Sequence, residues 1–325
     1  MSLRFSRWRS IYREFCDWGY ILAPRDGKII AKGQVEAGRF KPKDRIVLSG
    51  SGSINVDAVA NIVGAGGSIL VEKGSIQLDY FNSMFSRNLL AQLASVENSE
   101  VRSRVASSIL EAAAYNKIRV LEILEVPEDV RSRVVGEIKG LISMLKGTVL
   151  SRLMGVEARI TKLYFEALRY VIPVEYGFKA RTRRPPKDYF SAALSYGNML
   201  LYRHVLKEIL RFGLDPRLSY LHTPYRHRPS LALDIAEEFR QAVVDLAVIP
   251  LYTSRSMSIK GDFQVFGSSI YLNKRGNFKV RRSFQHRMNL KVEGRSLADA
   301  IRGQIRKLLE FIHGDRSEYT PFRIQ

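Results

Sequence analysis

The chain has 325 residues, with 52 Lys plus Arg against 32 Asp plus Glu, a formal net charge of +20 and an isoelectric point near 10.1. Its 46% hydrophobic content, spread along the whole length, excludes general disorder and places the excess charge on folded surface, where a polyanion is the fitting partner. A single cysteine, Cys16, excludes an internal disulfide and a Cys-rich zinc site, and no apolar run approaches the ~18–20 residues of a membrane span. Arg interrupts the first fifteen residues every few positions, unlike a signal peptide, so the sequence reads as cytoplasmic.

In chain order, a basic extension over about 1–16 precedes short β-like runs at Tyr20–Ala23, Lys28–Ala31, Arg45–Leu48 and Ser68–Val71, separated by turn signals such as Asp26-Gly27. A short helix is expected at 56–63. Past Phe81 apolar residues recur every three or four positions: Val101, Val105, Ile109 and Ala112 form one stripe, and Val130, Val134, Ile138, Leu141 and Leu145 form another after Pro127-Glu-Asp. Helices are expected near 83–97, 99–115, 130–146, 151–171, 188–212, 229–247 and 295–313, with a basic loop at 173–187 and an irregular stretch at 250–292. The expected class is α+β: a small N-terminal β-rich domain over 1–83, then a larger, all-α-helical domain over 84–325.

Residues 1–85 hold 12 basic and 8 acidic side chains, and the remaining 240 hold 40 and 24, so the helical part carries most of the charge. Lys179, Arg181, Arg183, Arg184 and Lys187 crowd one loop. Residues 263–292 contain Lys274, Arg275, Lys279, Arg281, Arg282, Arg287 and Lys291, no acid, and interleaved Phe278 and Phe284. Flexible cations suit phosphates and aromatic rings can stack on bases; a solvated loop is the plainer alternative for each segment.

The chemical anomaly is acid on apolar helical faces. Glu157 falls in register with Ile160, Tyr164, Leu168 and Val171, where a carboxylate needs a cation, a hydrogen-bond network or a metal beside it. Ser230 is the expected N-cap of a helix on which Asp234 and Glu237 share a face, with His222 in the loop before it. Convergence of one imidazole and several carboxylates suits Mg²⁺ or Mn²⁺ better than zinc, and pairing of Glu157 with a neighbouring Arg is the competing reading. Gly50 and Gly52 resemble the start of a dinucleotide fingerprint, but Asn55 stands at the third glycine position, so a tight turn is expected. His222 and His227 lack the partners of a zinc site.

Four ordered blocks, around Glu157–Tyr164, Arg181–Tyr196, Gly213–His222 and Ser230–Arg240 with Asp245, make the sequence resemble the CRISPR-associated spacer-acquisition integrase, the universal adaptation nuclease. The resemblance implies that Glu157, His222 and Glu237 are divalent-metal ligands, with Asp234 the supporting acid and His222 open to an acid/base role. It implies binding of double-stranded DNA, both prespacer and CRISPR repeat, by a homodimer, and attack of a 3′-hydroxyl on the repeat border. It further implies a small ferredoxin-like partner protein. Arg181, Arg183, Arg184, Lys187, Arg226, Arg228, Lys274, Arg275, Arg281 and Arg282 are the candidate DNA-binding cations. A transposon-borne integrase of the same fold and a non-catalytic, architectural DNA-binding protein are the alternatives.

Overall fold

The structure is a computed structural model that describes residues 12–15, 18–25, 28–32, 38–40, 45–49, 51–56, 59, 68–73, 76–78, 83–145, 148, 150–223, 228–292 and 294–325. It divides into two compact units, Met1–Leu90 and Ala91–Gln325. Residues 1–11 of the basic extension, most of the expected 56–63 helix, Arg226 and His227 lie outside the described residues.

The first unit contains two four-stranded sheets. In one, β1 (Tyr12–Phe15) pairs in parallel with β5 (Arg45–Ser49), which pairs in parallel with β7 (Ser68–Lys73), and β8 (Ile76–Leu78) returns antiparallel. In the other the order is β4 (Gly38–Phe40), β3 (Lys28–Lys32), β2 (Trp18–Arg25), β6 (Ser51–Ile54). Arg25 pairs with Lys28, the register that a two-residue Asp-Gly connection dictates. Gly52 lies inside the strand Ser51–Ile54 and not at the opening of a phosphate-binding helix.

The division between the units falls within α1 (Ser83–Glu97). α2 (Ser99–Ile123) starts at an Asn98 cap, whose Oδ1 accepts from the amides of Glu100 (3.1 Å) and Val101 (3.0 Å). It extends eight residues past the expected 115 because Asn116 and Lys117, which break the apolar pattern, are themselves buried among helices. α3 (Glu128–Ser143) follows Pro127 and buries Val130, Val134, Ile138 and Leu141, the expected stripe. α4 (Leu150–Leu168) buries Ile160, Tyr164 and Leu168. α5 (Tyr189–Arg211) is capped by Asp188, which accepts from the Ser191 amide at 2.6 Å.

The expected single helix over 229–247 is three segments: α6 (Ser230–Phe239), a π-helical turn over Arg240–Asp245, and α7 (Leu246–Thr253). The cap of α6 is Pro229 and not Ser230, whose side chain is inside the first turn. Gly197 on α5 permits close approach to the π turn, since a Cβ there would lie 2.7 Å from Val244 Cγ1.

The second unit is not all-α, and 250–292 is not irregular. After the single turn α8 (Ile259–Asp262), strands β9 (Phe263–Phe266) and β10 (Ser269–Leu272) form a hairpin turning at Gly267, whose φ of +57° favours glycine. Then comes α9 (Lys274–Asn289), the small pair β11 (Lys291–Val292) and β12 (Arg295–Ser296), and α10 (Leu297–Ile312). The acid-free segment hides a helical period, because Gly276, Val280, Phe284 and Met288 recur every four residues and are buried. Phe284 is therefore core, whereas Phe278 is 64% exposed.

Glu238, fully buried in α6, is pushed up to about 8 by burial, against the opposing hydrogen bonds from the Tyr319 hydroxyl and the Phe322 amide. A carboxyl raised in the folded state above its ordinary 4.5 binds more protons folded than unfolded between those values. The contribution of this group to stability accordingly falls as pH rises from about 4.5 to about 8 and is level above. Denaturant midpoints across that window test this: Glu238→Gln, having no titrating proton, loses that part of the slope whatever its absolute stability, and an unchanged slope refutes the assignment.

Candidate active site

α6 is buried on every side. Leu231, Ala232, Ile235, Ala236 and Phe239 are fully buried, and so are Asp234 and Glu238, with Glu237 at 3% exposure. Three carboxylates among nine buried residues are tolerable only if each has a partner.

Asp234 is satisfied completely by the loop before the helix. Its Oδ2 accepts the amides of Tyr220 (2.7 Å) and Leu221 (3.0 Å), and its Oδ1 accepts the amide of His222 (3.0 Å) and lies 2.7 Å from His222 Nδ1. This fixes the imidazole and leaves Nε2 as the nitrogen available to a further ligand. Glu237 faces differently. Its Oε1 pairs with Arg240 at 2.6 Å, one helical turn on, while its Oε2 is buried without a hydrogen-bond partner. Glu157 is half-buried and accepts from Thr161 Oγ1 at 2.7 Å.

Arg240 draws the acids of the site together. Burial pulls its pKa down, but the neighbouring Glu237, Tyr202, Glu157 and Asp245 outweigh that and raise it above the ordinary value. Its guanidinium also bonds the Tyr202 hydroxyl and lies 5.4 Å above that ring. Asp245, at the end of the π turn, accepts from the Tyr164 hydroxyl at 2.9 Å; burial lifts it to about 6, opposed by that bond and by the charges of Lys117, Arg240 and Arg181. π turns commonly carry functional side chains, and this one widens the helix where Glu237, Arg240 and Asp245 meet.

His222 is thus joined to Asp234, and Glu157 and Glu237 are linked through the field of Arg240. Among the described residues, no three His, Cys, Asp or Glu side chains close into a metal-holding group. The arginine supplies the positive charge that the carboxylates need. By donor type the residues would suit a hard divalent ion: Glu237 has a buried oxygen without a hydrogen-bond partner, Glu157 is a second carboxylate, and His222 is an oriented imidazole.

The expected DNA-binding cations divide. Arg183, Arg184, Lys187, Arg228, Lys274, Arg275, Arg281 and Arg282 are exposed. Arg275 lies 3.1 Å from Asp262, and Arg281 donates to the Tyr196 hydroxyl at 3.0 Å. Arg181 turns inward instead, donating to Ser195 Oγ at 3.0 Å; burial, and then the charge of Arg183, lowers it to about 10. Sequence reasoning missed Arg240, Lys117 and the role of Asp245. An acid inside the apolar run Ala242–Ile249 was the available signal, the same anomaly that marks Glu157.

Residues 29–286 match the family described as CRISPR associated protein Cas1. The relative named CRISPR-associated endonuclease Cas1 3, from Thermodesulfovibrio yellowstonii, is 30% identical over 230 residues, covering 69% of this chain and 69% of its own. Among solved structures, the fold is shared with a casposase bound to integration product, at a TM-score of 0.75 and 24% identity over 94% of this chain and 96% of that one. It is shared also with a chain of a Cas6-RT-Cas1--Cas2 complex, at 0.73 and 19% over 99% of this chain and 37% of that one. The family match spans Glu157, His222, Asp234 and Glu237, and with it the chain belongs to the CRISPR-associated Cas1 family.

Proposed function

We propose that the protein is a divalent-metal-dependent DNA endonuclease and integrase of CRISPR adaptation. The observation that carries this reading is that one short helix bears both the acid that fixes the His222 imidazole and a Glu237 oxygen buried without a hydrogen-bond partner, in a chain of this family. Glu157, His222 and Glu237 are the residues that would hold Mg²⁺ or Mn²⁺, which when bound polarises a phosphoryl oxygen and stabilises the leaving oxygen. Asp234 keeps His222 in one tautomer. Arg240 stands within reach of the same carboxylates to meet the negative charge of the reacting phosphodiester.

The reaction is a transesterification. A prespacer 3′-hydroxyl oxygen forms a bond to the phosphorus at the repeat border as the bond to the existing 3′-oxygen breaks; the attacking hydroxyl loses its proton and the departing oxygen gains one. The exposed cations hold DNA phosphates, the protein acts as a homodimer, and a small ferredoxin-like protein equivalent to the Cas2 named in the related complex joins the assembly.

Incubation with a duplex, a supercoiled repeat-bearing plasmid and Mn²⁺ tests the reaction. A 3′-hydroxyl duplex becomes joined to the plasmid and a 3′-dideoxy duplex does not; equal joining of both refutes the mechanism. A transposon-borne integrase would prefer long element ends, and an architectural protein would bind the duplex and join nothing.

Arg183→Glu with Arg184→Glu is expected to weaken duplex binding at low salt. It also reduces the slope of log affinity against log salt by about two, one for each lost phosphate contact. Identical titrations of variant and wild type at about 50 and about 200 mM salt remove this loop from the footprint.

A further inference from the structure

The segment following α10 runs onto α6 and α2. Tyr319 donates its hydroxyl to Glu238 Oε1 at 2.5 Å, and Phe322 donates its amide to Oε2 at 2.7 Å, so both oxygens of that buried carboxyl are held by this one segment. Asn116, fully buried on α2, donates Nδ2 to the carbonyls of Glu238 (2.8 Å) and Phe322 (3.2 Å), and its Oδ1 accepts the Ile324 amide at 2.8 Å. The Phe322 ring stacks on Phe239 with centroids 4.4 Å apart and planes inclined by 17°. Gln304 on α10 ties down the Thr320 carbonyl at 2.8 Å, and Arg323 lies 3.2 Å from Glu111 and 4.4 Å above the Tyr115 ring.

Glu238 and Phe239 directly follow Glu237. Apart from Ser230 and the three acids, the buried residues of α6 are apolar, and apolar contacts, being non-directional, resist a small rotation or slide of a helix weakly. Hydrogen bonds are directional, and a rotation of α6 would strand the buried Glu238 carboxyl and Asn116 amide at once. On the other side, Asp234 fastens the helix to the 220–222 loop. Glu237 sits between these two sets of polar ties.

We propose that Tyr319–Ile324 is a strap that sets the rotation and height of α6, making Tyr319, Phe322 and Asn116 positioning residues for Glu237. The proposal rests on the reading of Glu237 as a metal ligand. Its test uses the full chain without DNA, comparing Tyr319→Phe, Phe322→Ala and a control, Ile138→Ala, which opens a cavity in α3 away from the strap. The readouts are Mn²⁺ binding by calorimetry, amide hydrogen exchange of residues 231–239, and thermal stability. The strap variants are expected to bind Mn²⁺ about tenfold more weakly, as outer-shell supports of metal ligands do, with faster exchange in α6. The control loses thermal stability but keeps Mn²⁺ affinity within about twofold of wild type. Tyr319→Phe removes one oxygen without a cavity, so the test survives a poorly folded Phe322→Ala.

Wild-type Mn²⁺ affinity in Tyr319→Phe and Phe322→Ala overturns the strap, whatever their stability. An equal affinity loss in the control overturns it too. If wild type binds Mn²⁺ no better than Glu237→Ala, it is the metal reading that fails; α6 exchange then decides the strap alone, unchanged protection in Tyr319→Phe refuting it.

Discussion

Glu237→Ala is expected to abolish strand joining, by about a hundredfold or more, while duplex binding persists. No other group of the helix can take its place, since the two neighbouring acids are already held, Asp234 by the 220–222 loop and Glu238 by Tyr319 and Phe322. Removing it also deprives Arg240 of its 2.6 Å partner, leaving that buried cation to the Tyr202 hydroxyl and the more distant charges of Glu157 and Asp245. Glu237→Gln is therefore the companion: it keeps the shape and an oxygen toward Arg240, and loses the charge that a metal ion needs. Both variants are scored for joined product with a 3′-hydroxyl duplex, a repeat-bearing plasmid and Mn²⁺. Duplex binding is measured separately by titration. Joined product equal to wild type from a folded Glu237→Ala protein would show that the site is elsewhere.

Asp234→Asn is expected to be nearly as damaging for a different reason. Asp234 receives three backbone amides and the imidazole, and an amide side chain cannot accept all of them: its NH₂ must face donors. Each lost bond to a buried charged acceptor is worth ~1.5–3 kcal/mol, so the 220–222 loop loosens and His222 loses its fixed tautomer. Mn²⁺ affinity should fall about 10–100-fold. The double variant with His222→Ala should be little worse than His222→Ala alone, because the two residues act as one unit. Full additivity in calorimetric titrations would mean that Asp234 does not work through His222.

Much of the helical unit was legible where a local period coincided with a local stop. α3 began at Pro127-Glu-Asp and buried the stripe read from its spacing, and α5 began at Asp188. Glu157 stood out because an acid interrupted an apolar face. Reading failed where long-range packing overrode the local pattern. Asn116 and Lys117 look like a helix end but are buried by other helices, and the cations of 263–292 concealed a four-residue apolar repeat. Arg181 looked like its exposed neighbours, and only the fold turns it toward Ser195. The pairing of Glu237 with Arg240 was within reach at a spacing of three, yet the π turn that brings in Asp245 leaves no mark in local periodicity.

Around the π turn acids and bases are interleaved: Glu237, Glu157 and Asp245 surround Arg240, while Lys117, Arg240 and Arg181 oppose the rise of Asp245. On the proposed reading, entry of a divalent ion would add two positive charges close to Arg240, which low-dielectric surroundings penalise heavily. A DNA phosphodiester brings compensating negative charge. On that reading ion and DNA would be thermodynamically linked, each tightening the other by the same factor, so that the site would take up the ion chiefly when its substrate is present.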